Sequence, residues 1–510
     1  MASDSSILTL APEVIYQIGR QLPLEDLKIA RSACKHINES VKPLLFSSLD
    51  VKINGQDPAV EDFPQESISE FVKELRITVT DSRLKLPWSV LTIGVDAERQ
   101  KLKESFGTLL LRLQNIACIK ISFSGPMTYI LAVMVKTITS SKILPYFEEF
   151  HLNLPGAVFP DPTLRLRGLH GLRKINVTHD IPFSSKSDDF ERSILKPLSY
   201  SFATSPELTE TCITSSVPLR LSVSHLLRRI QDPSALKVLA LGAFRFDSDV
   251  NMTPYLVSLT SLSLLPVEDL GFLETAVPAR FWEELRASGA QLQELLLGGL
   301  DDDSLNFLER FPGKGLEKLS VIIQSNNGHR RFYDDVLARH AATLRELWIR
   351  IKDDRPWYLD SRNAQAVSKC KNLKVLGVSF LSEPSSVMNV INQLPETLPD
   401  LDVLYLAEVD LRPGRHIVCG PRGSVRTYIR SVPKDEVMKN VVEYDFQAPS
   451  GKEFLGRIVV RFAWDDGVII YALGDPEEKS RNQRLREGSC DDQKYFAVSG
   501  FRTIFDYVNV

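Results

Sequence analysis

A short apolar pattern, apolar-x-x-apolar-x-apolar, returns along most of this chain, and a chain built that way has few folds open to it. Its twelve cells begin with Val72/Leu75/Ile77, Ile116/Ile119/Ile121, Phe147/Phe150/Leu152 and Leu172/Ile175/Val177. Leu195/Leu198/Tyr200, Leu236/Leu239/Leu241, Leu259/Leu262/Leu264 and Leu292/Leu295/Leu297 continue the series. Leu316/Leu319/Val321, Leu344/Leu347/Ile349, Leu373/Leu376/Val378 and Leu401/Leu404/Leu406 close it. The last two apolar residues of each cell are two apart, the period of a strand with one buried face. Between cells the pattern turns helical. Asp301–Ser304 offers N-caps before Leu305, Leu308 and Phe311, Ala364, Val367 and Cys370 share a face, and so do Val387, Ile391 and Leu394.

Cells of this kind are the strand signature of leucine-rich repeats, whose period is about 20–29 residues. The last four first-position gaps here are 24, 28, 29 and 28. Gaps of 44 and 41 residues earlier in the chain predict insertions or a missed cell. The usual repeat carries Asn or Cys eight residues after its first leucine. Here those places hold Phe244, Val267, Leu300, Gln324, Lys352, Leu381 and Val409, which predicts turns held by packing rather than by an asparagine ladder. The expected fold is α/β: a solenoid of parallel strands and helices over residues 67–412.

Both ends depart from the pattern. In residues 1–50, Pro12 and Glu13 suit a first helical turn, and the spacing of Ile15, Ile18 and Leu22 predicts one shared face. Glu25 and Asp26 open a second helix with the stripe Leu27, Ala30, Cys34 and Ile37, and Val41, Leu44, Leu45 and Phe46 form a patch around Pro43. Residues 51–66, rich in Pro, Gly and acids from Asn54 onward, read as a linker. Residues 413–510 turn β-rich: Ser424–Arg430, Val441–Phe446, Ile458–Trp464 and Val468–Leu473 read as strands, the last two joined by an Asp466-Gly467 hairpin signal. This segment is expected to cap the end of the solenoid.

Charge and chemistry narrow the function. Lys+Arg (61) nearly cancel Asp+Glu (65), so there is no electrostatic footprint for nucleic acid or an anionic membrane. The closest of six cysteines are 49 residues apart, which excludes a zinc ribbon. Gly313-Lys-Gly315 lacks the rest of a phosphate-binding loop, and neither G-x-S-x-G nor H-E-x-x-H occurs. His416 and Cys419 are half a metal site without a second half, Asp301–Asp303 reads as a helix cap rather than a calcium site, and Lys479–Arg486 reads as a solvated loop. Neither an enzyme nor a cofactor or metal is expected. With no signal peptide, and Met127–Val135 as the longest apolar run, a soluble protein of the cytoplasm, the nucleus or both is expected.

The N-terminal landmarks carry a resemblance. Leu10-Ala-Pro-Glu-Val-Ile15, Leu22-Pro-Leu-Glu-Asp-Leu27, Ala30-Arg-Ser-Ala-Cys34-Lys35 and Pro43-Leu-Leu-Phe46 follow one another in the order of an F-box. Ala11 stands where that family often has proline, and Ile37 where tryptophan is common. The combination with leucine-rich repeats resembles fungal-type substrate receptors of SCF ubiquitin ligases. The resemblance implies that the helical segment binds the cullin adaptor subunit and the repeats hold a protein to be ubiquitinated. Leu10, Pro12, Glu13, Ile15, Ile18, Leu22, Leu27, Cys34 and Phe46 match the adaptor-facing or core landmarks of the family. The alternative is a leucine-rich scaffold with a degenerate F-box and no ubiquitin chemistry.

If the second and third residues of each cell face the core, the residues alternating with them line the concave surface. Leu296, Trp348, Arg350 and Tyr405 would then form an apolar patch edged by Glu294, Lys318 and Glu346, with Trp348 as its anchor.

Overall fold

The computed structural model describes residues 10–54, 60, 64, 66–80, 95–124, 128–141, 147–155, 166–180, 190–215, 219–247, 250–265, 277–323, 328–351, 357, 359–380 and 397–408, together with three later strands. The chain divides into two compact units, with the boundary near residue 250.

In the first unit, helices α1 (Pro12–Gly19), α2 (Leu24–Ala30) and α3 (Lys35–Leu45) precede seven strands. These are β1 (Ser48–Asn54), β2 (Glu74–Thr80), β3 (Cys118–Ser124), β4 (Glu149–Pro155), β5 (Lys174–Asp180), β6 (Glu210–Ser215) and β7 (Val238–Gly242). Each pairs in parallel with the next in chain order. The connections are helical where the apolar period lengthens to three and four: Val95–Arg112 buries Leu102, Phe106, Leu109 and Leu110, and Thr128–Thr139 buries Leu131, Met134, Val135 and Ile138.

The second unit repeats the plan. It contains β8 (Ser261–Leu265), β9 (Glu294–Leu297), β10 (Lys318–Ile323), β11 (Glu346–Ile351), β12 (Val375–Phe380) and β13 (Val403–Glu408), again parallel in chain order. The cap predicted at Asp301 is present: its carboxylate accepts from Ser304 N at 2.8 Å, and Ser304 Oγ accepts from Asp301 N at 2.9 Å. Beyond the repeats, β14 (Arg457–Arg461) pairs in parallel with β13, whereas β15 (Val468–Ala472) and β16 (Arg486–Gly488) add on antiparallel. The expected strands at 424–430 and 441–446 lie outside the described residues.

Strand alternation decides the core. Leu75, Ile77, Ile119, Ile121, Phe150, Leu152, Ile175 and Val177 are all buried, as are their counterparts Leu319, Val321, Leu347 and Ile349. A main-chain stitch holds the turns into β2–β7 and β9–β13. Ser47 O accepts from both Lys73 N and Glu74 N, Lys73 O from Ala117 N and Cys118 N, and Ala117 O from Glu148 N and Glu149 N. The second unit repeats this at Gln293 O, Glu317 O, Arg345 O and Lys374 O. At the places usual for an asparagine ladder, Phe244 and Leu300 are buried, while Val267, Gln324, Lys352, Leu381 and Val409 fall outside the described residues.

Three expectations need correction. Leu195/Leu198/Tyr200 is not a strand but part of a helical segment, a π-turn at Glu191–Leu195 running into Lys196–Ala203. An L-x-x-L step fits a helical period as well as a strand entry, and Pro197 in the first turn favours the helix. The strand at this place is β6, whose cell is Leu208/Thr211/Ile213 with a fully buried threonine at its centre. Second, the linker reading of residues 51–66 fails at its start, because β1 extends through Asn54 with Leu49 and Val51 register-paired to Leu75 and Ile77. Third, the stripe Leu27, Ala30, Cys34 and Ile37 spans two helices. Cys34 is the N-cap of α3, its Sγ accepting from Ile37 N at 3.5 Å.

Candidate functional site

The N-terminal helices close a small core of Ile15, Leu27, Ile37 and Val41, with Leu10, Ala30, Cys34, Leu44 and Leu45 packed around it. Gly19 lets α1 and α3 approach: a Cβ there would stand 2.8 Å from Leu44 Cδ1. Ile15 and Gly19 face this core, and one helical step round, Val14 and Ile18 face outward. The expected single face of Ile15, Ile18 and Leu22 is therefore split. Of the landmark residues, Ile15 and Leu27 are core, Leu10, Cys34 and Phe46 are partly buried, and Pro12, Glu13, Ile18 and Leu22 are exposed. Arg31 stacks its guanidinium over Phe46, 5.6 Å from the ring centre. Pattern reasoning passed over Val14, Leu24 and Ile29. With Ile18 and Leu22 they form a run of exposed large apolar side chains, from 39% exposed at Leu22 to 70% at Ile29.

On the second unit, strand register brings the expected sheet-face residues into two adjacent rows. One runs Ser261, Glu294, Lys318, Glu346, Val375, Val403, and the other Ser263, Leu296, Ser320, Trp348, Gly377, Tyr405. Lys318 Nζ bridges Glu294 at 3.2 Å and Glu346 at 3.3 Å. Burial pulls the Lys318 ammonium down, but Glu346 and Glu294 outweigh it and hold its pKa above the ordinary value. The apolar residues are covered rather than open: Leu296 is 3% exposed and Trp348 7%. The Trp348 ring lies against Gly377 on the neighbouring strand, where any Cβ would overlap it. Arg350, half-buried, lies one pleat further along β11, and the Tyr405 side chain is outside the described residues. A ligand on this face would meet the Glu294–Lys318–Glu346 charges before either apolar residue.

The same face of the first unit carries a denser charge network. Glu74 takes Arg76 and, at 3.1 Å, Lys120, while Lys174 Nζ lies 3.3 Å from Glu149 and 3.2 Å from Glu210. His151 Nε2 is 3.5 Å from Glu149 Oε2. The hydrogen bond with His151, aided by Lys174 and opposed by burial, brings the Glu149 pKa down to about 2. Cys118 is buried beside Glu149, and burial with the nearby Glu149 and Glu74 charges pushes its thiol up to about 12. Sequence spacing gave no sign of this cluster, since Cys118 and His151 meet only through the β3–β4 register.

No protein-family model matches the chain, and no curated protein matches it in sequence. Among the described residues, no helix is long and apolar enough to cross a membrane.

Proposed function

We propose that this chain is the substrate-recognition subunit of an SCF-type ubiquitin ligase. Its N-terminal helices form an F-box that binds the cullin adaptor, and its leucine-rich repeats bind a protein substrate, in the cytoplasm or nucleus. One observation supports this above the rest: α1, α2 and the turn between them leave Val14, Ile18, Leu22, Leu24 and Ile29 exposed although the three helices already have a core of their own. Burying a fully exposed side chain of this size is worth about 1.5–3 kcal/mol, so covering the roughly half of each that is still open gives a partner about 1 kcal/mol per residue. The F-box landmarks coincide with this region, and they name the adaptor as that partner. Substrate recognition falls to the sheet face, where Glu294, Lys318 and Glu346 offer a charged edge.

Co-expression of the full chain with the adaptor of its host, followed by size exclusion, tests the reading. The wild type is expected to co-elute with the adaptor. Val14→Asp with Ile18→Asp should abolish co-elution and leave the melting temperature within a few degrees, because both side chains are exposed. A folded wild type that elutes apart from the adaptor overturns the proposal and leaves the scaffold reading.

A further inference from the structure

The geometry points to a divalent transition-metal site of the zinc class on the first unit's sheet, held by Cys118 Sγ, a Glu149 carboxylate oxygen and a His151 ring nitrogen. The ligand atoms of these three residues lie within 4.8 Å of one another. Cys118 and Glu149 are register partners on β3 and β4, and His151, two residues after Glu149, emerges on the same face. Thiolate, imidazole and carboxylate together suit zinc, whose bonds of about 2.0–2.3 Å place its ligand atoms roughly 3–4 Å apart. Side-chain rotation closing the cluster by about 1 Å reaches that spacing.

The row containing Cys118 gives an independent argument. Acids and cations alternate along it, with Lys174 between Glu149 and Glu210, and the second unit has a row of its own in which Lys318 sits between Glu294 and Glu346. Each lysine is within 3.3 Å of both carboxylates. Cys118 holds the corresponding place between Glu74 and Glu149, with a thiol where the other sites have a cation. Lys120 reaches Glu74 from the adjacent row, while Glu149 is shared by Lys174 and His151. A metal bound by Cys118 completes the alternation. Binding replaces the thiol proton with the metal, and the proton leaves to solvent. Cys118 is free of any disulfide, and Glu149 and His151 are half-exposed, so an ion has access. Three protein ligands leave one tetrahedral position for water or for a donor group of a bound protein.

The test is titration of the chelator-treated full chain with Co²⁺, followed by Zn²⁺. The expected result is one Co²⁺ per chain with a sulfur-to-cobalt charge-transfer band that Zn²⁺ erases. Cys118→Ser should remove the band, and His151→Gln should weaken Co²⁺ binding at least tenfold. Because His151 is half-exposed, His151→Gln is expected to keep the wild-type circular dichroism, so a folding defect in Cys118→Ser alone would not hide the answer. Zn²⁺ should raise the melting temperature of the wild type and not that of His151→Gln. Absence of the thiolate band, a band that survives Cys118→Ser, or binding only at millimolar metal overturns the proposal.

Discussion

Acid should weaken the second unit through one histidine. His340 is fully buried, and its ring joins two neighbouring repeats: Nδ1 accepts from Leu316 N at 3.0 Å, and Nε2 lies 3.2 Å from Leu308 O. Because Nδ1 accepts a main-chain N–H, it carries no proton, and the Nε2–H is the one that donates to Leu308. A second proton would break the Leu316 bond and place a charge in the core. Burial, with Arg339 adding to it, lowers the His340 pKa from 6.5 to about 4. The unfolded chain therefore takes up this proton first. Stability is complete above pH 6.5 and declines as the pH falls through 6.5 toward 4. At about 1.4 kcal/mol per pKa unit the full effect is at most about 3.5 kcal/mol, of which about 2 is lost by pH 5. Urea midpoints between pH 7 and pH 4 measure the slope, and hydrogen exchange at the Leu316 amide locates it. His340→Leu removes the titration. It costs about 1–3 kcal/mol at pH 7, because the buried Leu316 N–H loses its partner while Leu308 O keeps the Phe311 N–H, but its slope over this window is shallower than the wild type's. Equal slopes for the two proteins, or a Leu316 amide equally protected at pH 5 and pH 7 after correction for intrinsic exchange, would refute the argument.

Gly377→Ala is expected to force the Trp348 ring off the β12 backbone at a cost of about 1–3 kcal/mol, with a red-shifted and more quenchable tryptophan emission. Lys318→Glu would place three carboxylates side by side on the sheet. The melting temperature should fall by several degrees, and salt should recover part of the loss. Asp301→Ala removes a capping box and should cost about 1 kcal/mol in urea unfolding, with Asp301→Ser retaining most of the stability.

The inward positions of the strands were legible because period-two alternation has only one way to bury leucine, and eleven of the twelve predicted cells enter strands where expected. The sixth strand was hidden because Thr211 fills its central place, while Leu195 and Leu198 imitate a cell from within a helix. The cell of β1, Phe46/Leu49/Val51, is hard to read because it begins on Phe46, the end of the last N-terminal landmark. On α1, a spacing of three joins Ile15 to Ile18, yet three 100° steps leave them about 60° apart, enough to put Ile15 in a narrow core and Ile18 outside it. Trp348 is a large aromatic in the expected row, but its depth depends on Gly377 one strand away. Cross-strand register is a property of the folded sheet, and for the same reason the Cys118, Glu149 and His151 grouping is invisible in residue spacing.

The stitch at each strand entry uses only peptide atoms, so the side chains there are free to vary: Ser47, Lys73, Ala117, Glu148 and Arg173 all fill the acceptor place in the first unit. One finished turn presents a fixed acceptor to the next, and within each unit assembly then resembles growth at a crystal edge. Segments of unequal length between successive cells are tolerable on this scheme, since doubling a loop adds only about 0.6 kcal/mol of closure entropy. The two amides that arrive at each acceptor admit no such latitude. A proline at Ala117 or Cys118, at Glu148 or Glu149, or at Arg345 or Glu346 would remove a donor and stop growth at that edge.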